Sequence, residues 1–331
     1  MRVLVLGAGG QVGSDLVPAL AREDAECWMA DRLAPEDTAA WPSLRRAFRG
    51  DADWRRRWRT IDASSADALR GLLEDIRPSV VYHLVAILSA RGEQDPEACW
   101  RVNMTSLRIV LDTLAGWEKD PAPKVIWPSS IAAFGPLPDH PEGFPAGPLP
   151  NEFPLQPQTM YGVTKVAGEL LGAWYAHHRA LDFRSVRYPG LLNTAPPGGG
   201  SSDYANMMYF AAARGDASVD IFVRPDTRIP FMYMPDAVRA LTELAAAPRN
   251  KLSRTTYNIA AISPSAEEIA ESLKRIVPGF QVHYKPDHRQ AYVDSWPDAI
   301  DDTPARRDWG WTHHFDLDRM SRDLIAALRS G

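Results

Sequence analysis

The 331-residue sequence predicts an α/β fold, a doubly wound parallel sheet with a smaller α/β lobe over one end, on three observations. Through the first half, short apolar runs alternate with longer segments of helical period. That alternation marks crossover units whose parallel sheet is buried on both faces. The first run ends in a glycine cluster, Gly7-Ala8-Gly9-Gly10-Gln11-Val12-Gly13, that leads directly into a helical pattern. After Pro189 the loops lengthen and fill with Gly and Pro, as over 195–202, and helices near 203–213, 235–247, 265–276 and 317–328 are separated by short strands. Strand, glycine turn and helix at the head of such a series specify a sheet of Rossmann type.

Residues 2–6 are apolar after the first position and predict a fully buried strand. A helix follows over 11–22, then a strand over 26–30. A third strand closes at 60–62, with a helix over 65–76 behind it. Residues 79–84 are apolar and rich in β-branched side chains, hence a fourth strand. A long helix over 96–117, a strand over 124–128, a second long helix over 159–179 and a strand over 183–188 complete the series. The Pro-rich stretch 135–157 joins two segments that carry candidate site residues, so an ordered loop is expected there.

Composition narrows the function. The 42 acidic against 37 basic residues leave a net charge of -5, which offers no general attraction to nucleic acid or anionic membranes. One stretch, 45–59 (RRAFRGDADWRRRWR), is basic with interleaved aromatics. A nucleic-acid surface and a solvated connection between strands both fit it; nothing else in the chain extends the patch, which favours the connection. The two cysteines, Cys27 and Cys99, exclude a disulfide framework and are expected to be reduced and buried. No apolar run approaches the roughly 20 residues that span a bilayer. A strand starting at residue 2 leaves no room for a signal peptide. The expectation is a soluble, cytoplasmic protein with no nucleic-acid or membrane partner.

The glycine turn lets backbone N–H groups approach a pyrophosphate at a helix N-terminus. Asp31 ends the second strand eighteen residues beyond Gly13, where a carboxylate accepts from ribose hydroxyls and repels a 2′-phosphate. Arg32 beside it could instead greet that phosphate, but the acid favours NAD over NADP. Asp62 and Ala63 end the third strand near the expected adenine, with a nearby helix N-cap as the other reading of the acid. Leu84 ends the fourth strand and Val85-Ala86 follow it, where the backbone passes the cofactor; Leu84 and Ala86 are the expected contacts. Gly7, Gly10, Gln11, Val12, Gly13 and Tyr188 complete the expected cofactor contacts. These patterns divide the chain into an NAD-binding domain over 1–190, joined by about 232–250, and a substrate lobe over 191–231 and 251–331.

Tyr161 and Lys165 are four apart on a helix and therefore share a face. A phenol titrates near ~10 and is a poor base at neutral pH. An adjacent ammonium and a positive nicotinamide ring both favour the phenolate. Ser129 and Ser130 end a strand; Ser130 could orient a substrate hydroxyl against Tyr161, while strand-end capping explains at least one of the pair. Asn103 sits inside a long helix, where asparagine is not favoured, and could tie backbone near the lysine. His177, His178, His313 and His314 have no ligand-like partners nearby, and no metal motif appears. The chemistry is expected to need no metal.

Taken together, Gly7, Gly10 and Gly13, Asp31, Asn103, Ser130 and Tyr161-Gly162-Val163-Thr164-Lys165 resemble the extended short-chain dehydrogenase/reductases over nearly the whole chain. A narrower resemblance is carried by Ile87-Leu88-Ser89-Ala90, by Pro128 to Gly135, by Pro197 to Ala205, and by Met232 to Asp236. Pro286 to Gln290, Asp294-Ser295-Trp296-Pro297, Ile300-Asp301-Asp302 and Asp308-Trp309-Gly310-Trp311 extend it. These runs look like the metal-independent L-threonine 3-dehydrogenases, with Ser201 and Ser202 where that family usually has threonines. The resemblance implies oxidation of L-threonine to 2-amino-3-oxobutyrate with reduction of NAD⁺. It makes Tyr161 the base, Lys165 its electrostatic partner and Ser130 the hydroxyl anchor. Ser89, Gly199, Ser201, Ser202 and Trp296 become pocket walls. It also implies a homodimer through the two long helices. The competing readings are a nucleotide-sugar epimerase or dehydratase on the same scaffold and a non-catalytic NAD-sensing regulator, against which the intact Ser130, Tyr161 and Lys165 argue.

Overall fold

A computed structural model describes residues 1–23, 25–51, 53–118, 122–136, 144–198 and 200–330. Its strands are β1 (Arg2–Leu6), β2 (Glu26–Asp31), β3 (Trp58–Thr60), β4 (Val80–His83), β5 (Lys124–Ser130), β6 (Asp182–Tyr188), β7 (Gly190–Leu192), β8 (Ser218–Ile221), β9 (Phe231–Tyr233), β10 (Thr256–Asn258) and β11 (Gln281–Tyr284). Seven of them form one sheet in the order β10-β6-β5-β4-β1-β2-β3, and every pairing in it is parallel. Beyond Arg2, β1 is buried throughout, as a central strand covered on both faces must be. The strand order reverses at β1, which pairs with β2 on one side and β4 on the other. A crevice opens at such a reversal, outside the carboxyl ends of the strands.

Two cores flank the crevice. Val3, Val5, Met29 and Val186 pack with the helix Met234–Ala246 through Ala237, Leu241 and Leu244. Buried Arg184 holds the end of that helix, donating to the carbonyls of Leu244 (2.5 Å) and Ala247 (2.6 Å) while paired with Asp182. The second core joins the helices Asp203–Arg214, Ala266–Ile276 and Leu317–Ser330 through Tyr204, Tyr209, Ile269, Leu273 and Leu324. β10 falls within the 251–331 span assigned to the lobe, yet it closes the main sheet against β6, and Ala305 and Trp311 join the main core. A three-residue strand carries no period to read; its place is set by pairing.

Other differences have local causes. The helix expected over 96–117 is interrupted by a π turn at Arg101–Thr105, between Pro96–Trp100 and Ser106–Ala115. β3 stops at Thr60 because Asp62 turns the chain, accepting from Ser64 N at 2.9 Å. The basic stretch 45–59 is folded rather than merely solvated: Phe48, Trp54 and Trp58 are buried, Phe48 stacks on Trp54 at 5.3 Å, and Arg55 lies over Trp41 at 4.8 Å. Its aromatic rings serve packing. Part of the Pro-rich stretch, 137–143, lies outside the described residues; further on, Asn151 pairs with β10, donating to Thr256 O (3.1 Å) and accepting from Asn258 N (2.7 Å). No helix among the described residues is long and apolar enough to cross a membrane.

Candidate active site

The crevice begins at the glycine turn. Gly7 has φ +81°, and its N–H and that of Ala8 both donate to Ala30 O, at 2.8 and 3.1 Å. Gly13 starts the helix Gly13–Ala21 pressed under the turn: a Cβ there would lie 2.5 Å from Gly7 O and 2.6 Å from Ala8 O. Among the described residues the N–H groups of Gln11 and Val12 have no backbone partner. Such free donors at a helix N-terminus are an anion cradle. Gly7, Gly10, Asp31, Arg32, Asp62, Ala63, Leu84 and Ala86 line the groove that continues from it, about 730 Å³ in volume. Asp31 accepts from Gly9 N at 2.9 Å and Leu33 N at 3.3 Å, so it braces the turn while facing the groove. Asp62 faces the same groove, its carboxyl held below the usual range chiefly by its hydrogen bonds from Ser64.

Past Leu84, Ala86 and Leu88 the groove opens into a second cavity. Gln11, Val12, Ser89, Ser130, Tyr161, Lys165, Tyr188, Ser201, Ser202 and Trp296 line it. β5 delivers Ser130, and the helix Met160–His178, capped by Thr159, delivers Tyr161 and Lys165. That helix approaches closely because it is notched: a Cβ on Gly162 would meet Ala132 O at 2.1 Å and one on Gly168 the Trp127 ring at 2.4 Å.

Lys165 is 4% exposed; its Nζ donates to Pro128 O at 2.6 Å and lies 4.5 and 5.2 Å from the Trp127 and Tyr161 ring centres. The Ser130 side chain lies beside the Tyr161 phenol in the cavity and accepts from Ala132 N at 3.2 Å. Burial pushes that phenol up to about 12, against the Ser130 hydroxyl, and pulls Lys165 down to about 7, against the Glu169 charge. The sequence expectation set the lysine's charge in service of the phenolate. In the folded pocket desolvation dominates both groups, so the polypeptide alone leaves the phenol protonated.

Ser129 turns away from Tyr161 and donates to Glu169 Oε1 at 2.5 Å, which separates the two serines. Asn103 stands behind the cavity: it accepts from Ile87 N (2.7 Å) and donates to Ile87 O (3.1 Å) and Thr164 Oγ1 (3.1 Å). It therefore ties the 84–88 segment to the helix of Tyr161 and does not contact Lys165 directly. The Tyr188 ring lines the cavity, but its hydroxyl donates to Ala237 O on the far side. Ser89 and Ser201 are bound hydroxyl to hydroxyl at 3.1 Å, pinning the glycine-rich loop, and Ser201 is fully buried. Trp296 is 7% exposed, and its indole N–H has no hydrogen-bond partner among the described residues. Gly199 lies outside the described residues. No cluster of three or more metal-ligating side chains occurs among those described.

Sequence reasoning passed over Glu169 and Arg187. Both are buried, and Arg187 grips Glu169 with Nε at 2.9 Å and Nη2 at 2.7 Å. A signal existed: Glu169 follows Lys165 by four residues on the face turned toward the sheet.

Comparison with known proteins matches residues 3–260 to the model of the NAD dependent epimerase/dehydratase family. A mitochondrial L-threonine 3-dehydrogenase of Bos taurus is 41% identical over 259 residues, covering 78% of this chain but 66%, just under two thirds, of the bovine protein. The holo structure of an L-threonine dehydrogenase from Cupriavidus necator superposes with a TM-score of 0.88 at 40% identity, covering 99% of this chain and 100% of that one. A monomeric L-threonine 3-dehydrogenase from a metagenome, in apo form, superposes with a TM-score of 0.86 at 37% identity, covering 99% of each chain.

Proposed function

The chain belongs to the NAD dependent epimerase/dehydratase family, and we propose that within it this protein oxidises L-threonine at its β-hydroxyl to 2-amino-3-oxobutyrate. The observation that carries the reading is one continuous cleft, with an anion cradle and Asp31 at one end and Ser130, Tyr161 and Lys165 at the other. NAD fits that cleft: the tight turn, which a Cβ at Gly13 would force apart, leaves the N–H groups of Gln11 and Val12 without backbone partners at the helix N-terminus. Gly7, Gly10, Gln11 and Val12 would hold the diphosphate, Gly13 permitting the turn beneath it. Asp31 would hold the adenosine ribose, Asp62 and Ala63 would flank the adenine, and Leu84, Ala86 and Tyr188 would line the path between.

Bound NAD⁺ supplies the hydride acceptor and a positive charge beside the phenol. The protein's own residues handle the proton. Tyr161 must first give its own proton to solvent, which the charge of bound NAD⁺ and the Lys165 ammonium would favour; the phenolate Oη then takes the proton of the substrate hydroxyl, which Ser130 orients. Lys165 would stabilise that phenolate and hold the nicotinamide ribose. Asn103 holds the 84–88 segment against the catalytic helix. Ser89, Ser201, Ser202 and Trp296 would wall the substrate. The lobe over 191–231 and 251–331, less β10 and the Trp311 region, closes over that end.

The test is NADH absorbance on mixing the protein with NAD⁺ and L-threonine. An epimerase returns its hydride within each turnover and accumulates no NADH, so a flat trace with L-threonine would overturn the reading. We propose also that the protein is a cytoplasmic homodimer. Trp100, Val163, Leu170 and Trp174 are 45, 39, 66 and 45% exposed on the helices Pro96–Trp100 and Met160–His178, an apolar face that a second copy would cover. The free cysteines are both buried, which suits a reducing compartment. A solution mass of one chain would place it instead with the monomeric relative.

A further inference from the structure

Tyr161, Lys165 and Glu169 are spaced by four along one helix, and each meets the end of β5. Tyr161 lies beside Ser130 in the cavity, Lys165 donates to the carbonyl of Pro128 at 2.6 Å, and Glu169 accepts from the hydroxyl of Ser129 at 2.5 Å. Three consecutive residues of the strand are thus read by three consecutive turns of the helix. Glu169 is 6% exposed, and its other bonds come from Arg187, itself 4% exposed and also donating to Asn151 O (2.8 Å) and Asn258 Oδ1 (3.1 Å). We propose that Glu169 is a positioning residue of this site, the counter-ion that keeps Lys165 an ammonium and, through Ser129, the brace that presents Ser130 to Tyr161. The inference rests on the hydride-transfer reading of the cleft.

The other titratable groups around Lys165 do not supply that charge. His83, at the end of β4, hydrogen-bonds to Ser106 Oγ at 2.9 Å, and burial holds it down at about 4, neutral at working pH. Cys99, on the helix Pro96–Trp100, is a thiol whose burial pushes its titration up. Tyr161 is likewise raised by burial and uncharged. Arg187 is paired with Glu169 at 2.7 Å, while the Glu169 carboxylate stands one helical turn from Lys165 on the same face. Among the described residues facing Lys165, Glu169 is therefore the one standing negative charge. Without it, desolvation would strip the lysine of its proton at lower pH, and the phenolate would lose its partner.

The test reads Lys165 directly. Protein labelled with carbon-13 at lysine Cε is titrated without cofactor, for wild type, Glu169→Gln and Ser129→Ala. Glu169→Gln should lower the Lys165 midpoint by about one unit or more, the size of effect one close charge produces. Ser129→Ala removes a hydrogen bond and no charge, so its midpoint should stay at the wild-type value. Activity on L-threonine should follow, with kcat falling roughly 10-fold or more in Glu169→Gln at neutral pH and several-fold in Ser129→Ala, where an unchanged kcat would overturn the brace. Glu169→Gln leaves Arg187 unpaired in the interior, which endangers folding. The double variant Glu169→Gln/Arg187→Met removes both buried charges and should show the same lowered midpoint. A midpoint unchanged in these Glu169 variants, or lowered equally in Ser129→Ala, overturns the proposal. Because the titration needs no substrate, a wild type that ignores L-threonine but shows the expected shifts would overturn only the assigned reaction.

Discussion

The adenosine end of the cleft and its catalytic end are built from different materials. At the first, backbone and short side chains do the work: a glycine turn, free N–H groups, and acids held by neighbours two residues away, as Asp62 is by Ser64. At the second, the working groups are buried charges and hydroxyls brought together across long stretches of chain, such as Lys165 with Pro128, Glu169 with Arg187, and Ser89 with Ser201. At the first end the acids keep contact with water, Asp31 being half-buried and Asp62 exposed. At the second, Lys165 and Glu169 are buried, and there desolvation sets the proton affinities: Tyr161 is pushed up to about 12 and Lys165 pulled down to about 7. A site that binds needs shape and donors; a site that moves protons needs a low dielectric, and must carry the cost of it.

Substitutions at the catalytic end should split function from stability. Tyr161→Phe keeps the ring's packing and removes the phenolic oxygen, so turnover of L-threonine should fall by ~10²–10⁴-fold while NAD⁺ affinity holds. Steady-state kinetics beside a binding titration would check it, and near-normal turnover would remove Tyr161 from the chemistry.

At the adenosine end the largest effect should come from shape. Gly13→Val puts a branched side chain where even a Cβ would sit 2.5 Å from Gly7 O. The turn must open, and NAD⁺ affinity should weaken by roughly 100-fold, the equivalent of two lost hydrogen bonds. Binding at the wild-type level would show that the turn is not the cradle.

Lys165→Met should inactivate the protein and yet stabilise it. The native lysine titrates at about 7 against 10.5 in an ordinary setting. Between those values the unfolded chain binds a proton that the native chain does not, so native stability rises with pH across that window. Below about pH 7 the full penalty is present. The cofactor-free variant should therefore be more stable by on the order of 3 kcal/mol near pH 6, after the lost Pro128 bond, with the gain fading toward pH 10. Denaturant unfolding at both pH values measures it; a variant less stable than wild type at pH 6 would mean burial does not penalise this lysine.

The smallest effect should be at Asp31. Asp31→Asn keeps an acceptor for Gly9 N but loses the charge that repels a 2′-phosphate, with Arg32 lining the same groove. The preference for NAD⁺ over NADP⁺ should narrow by about tenfold, one charge-assisted hydrogen bond's worth. A variant as selective as wild type would assign the choice to other residues.

What the sequence determined by itself is whatever short-range chemistry controls. The apolar run of β1, the glycine turn behind it, the acid ending β2 and the Tyr161–Lys165 spacing are local facts, and they specify the parallel sheet, the nucleotide crevice and one catalytic face. Tertiary structure decided the rest. It separated Ser130 from Ser129 by giving the latter to Glu169, 40 residues away. It turned the aromatics of the 45–59 stretch inward, put a π turn where Asn103 binds Ile87, and added β10 to the sheet from within the span read as the other lobe. It also let desolvation dominate Tyr161 and Lys165 in the polypeptide without cofactor. Each of these depends on which groups lose water together, and that is settled only when distant segments pack, because desolvation belongs to the folded interior and not to any stretch of residues.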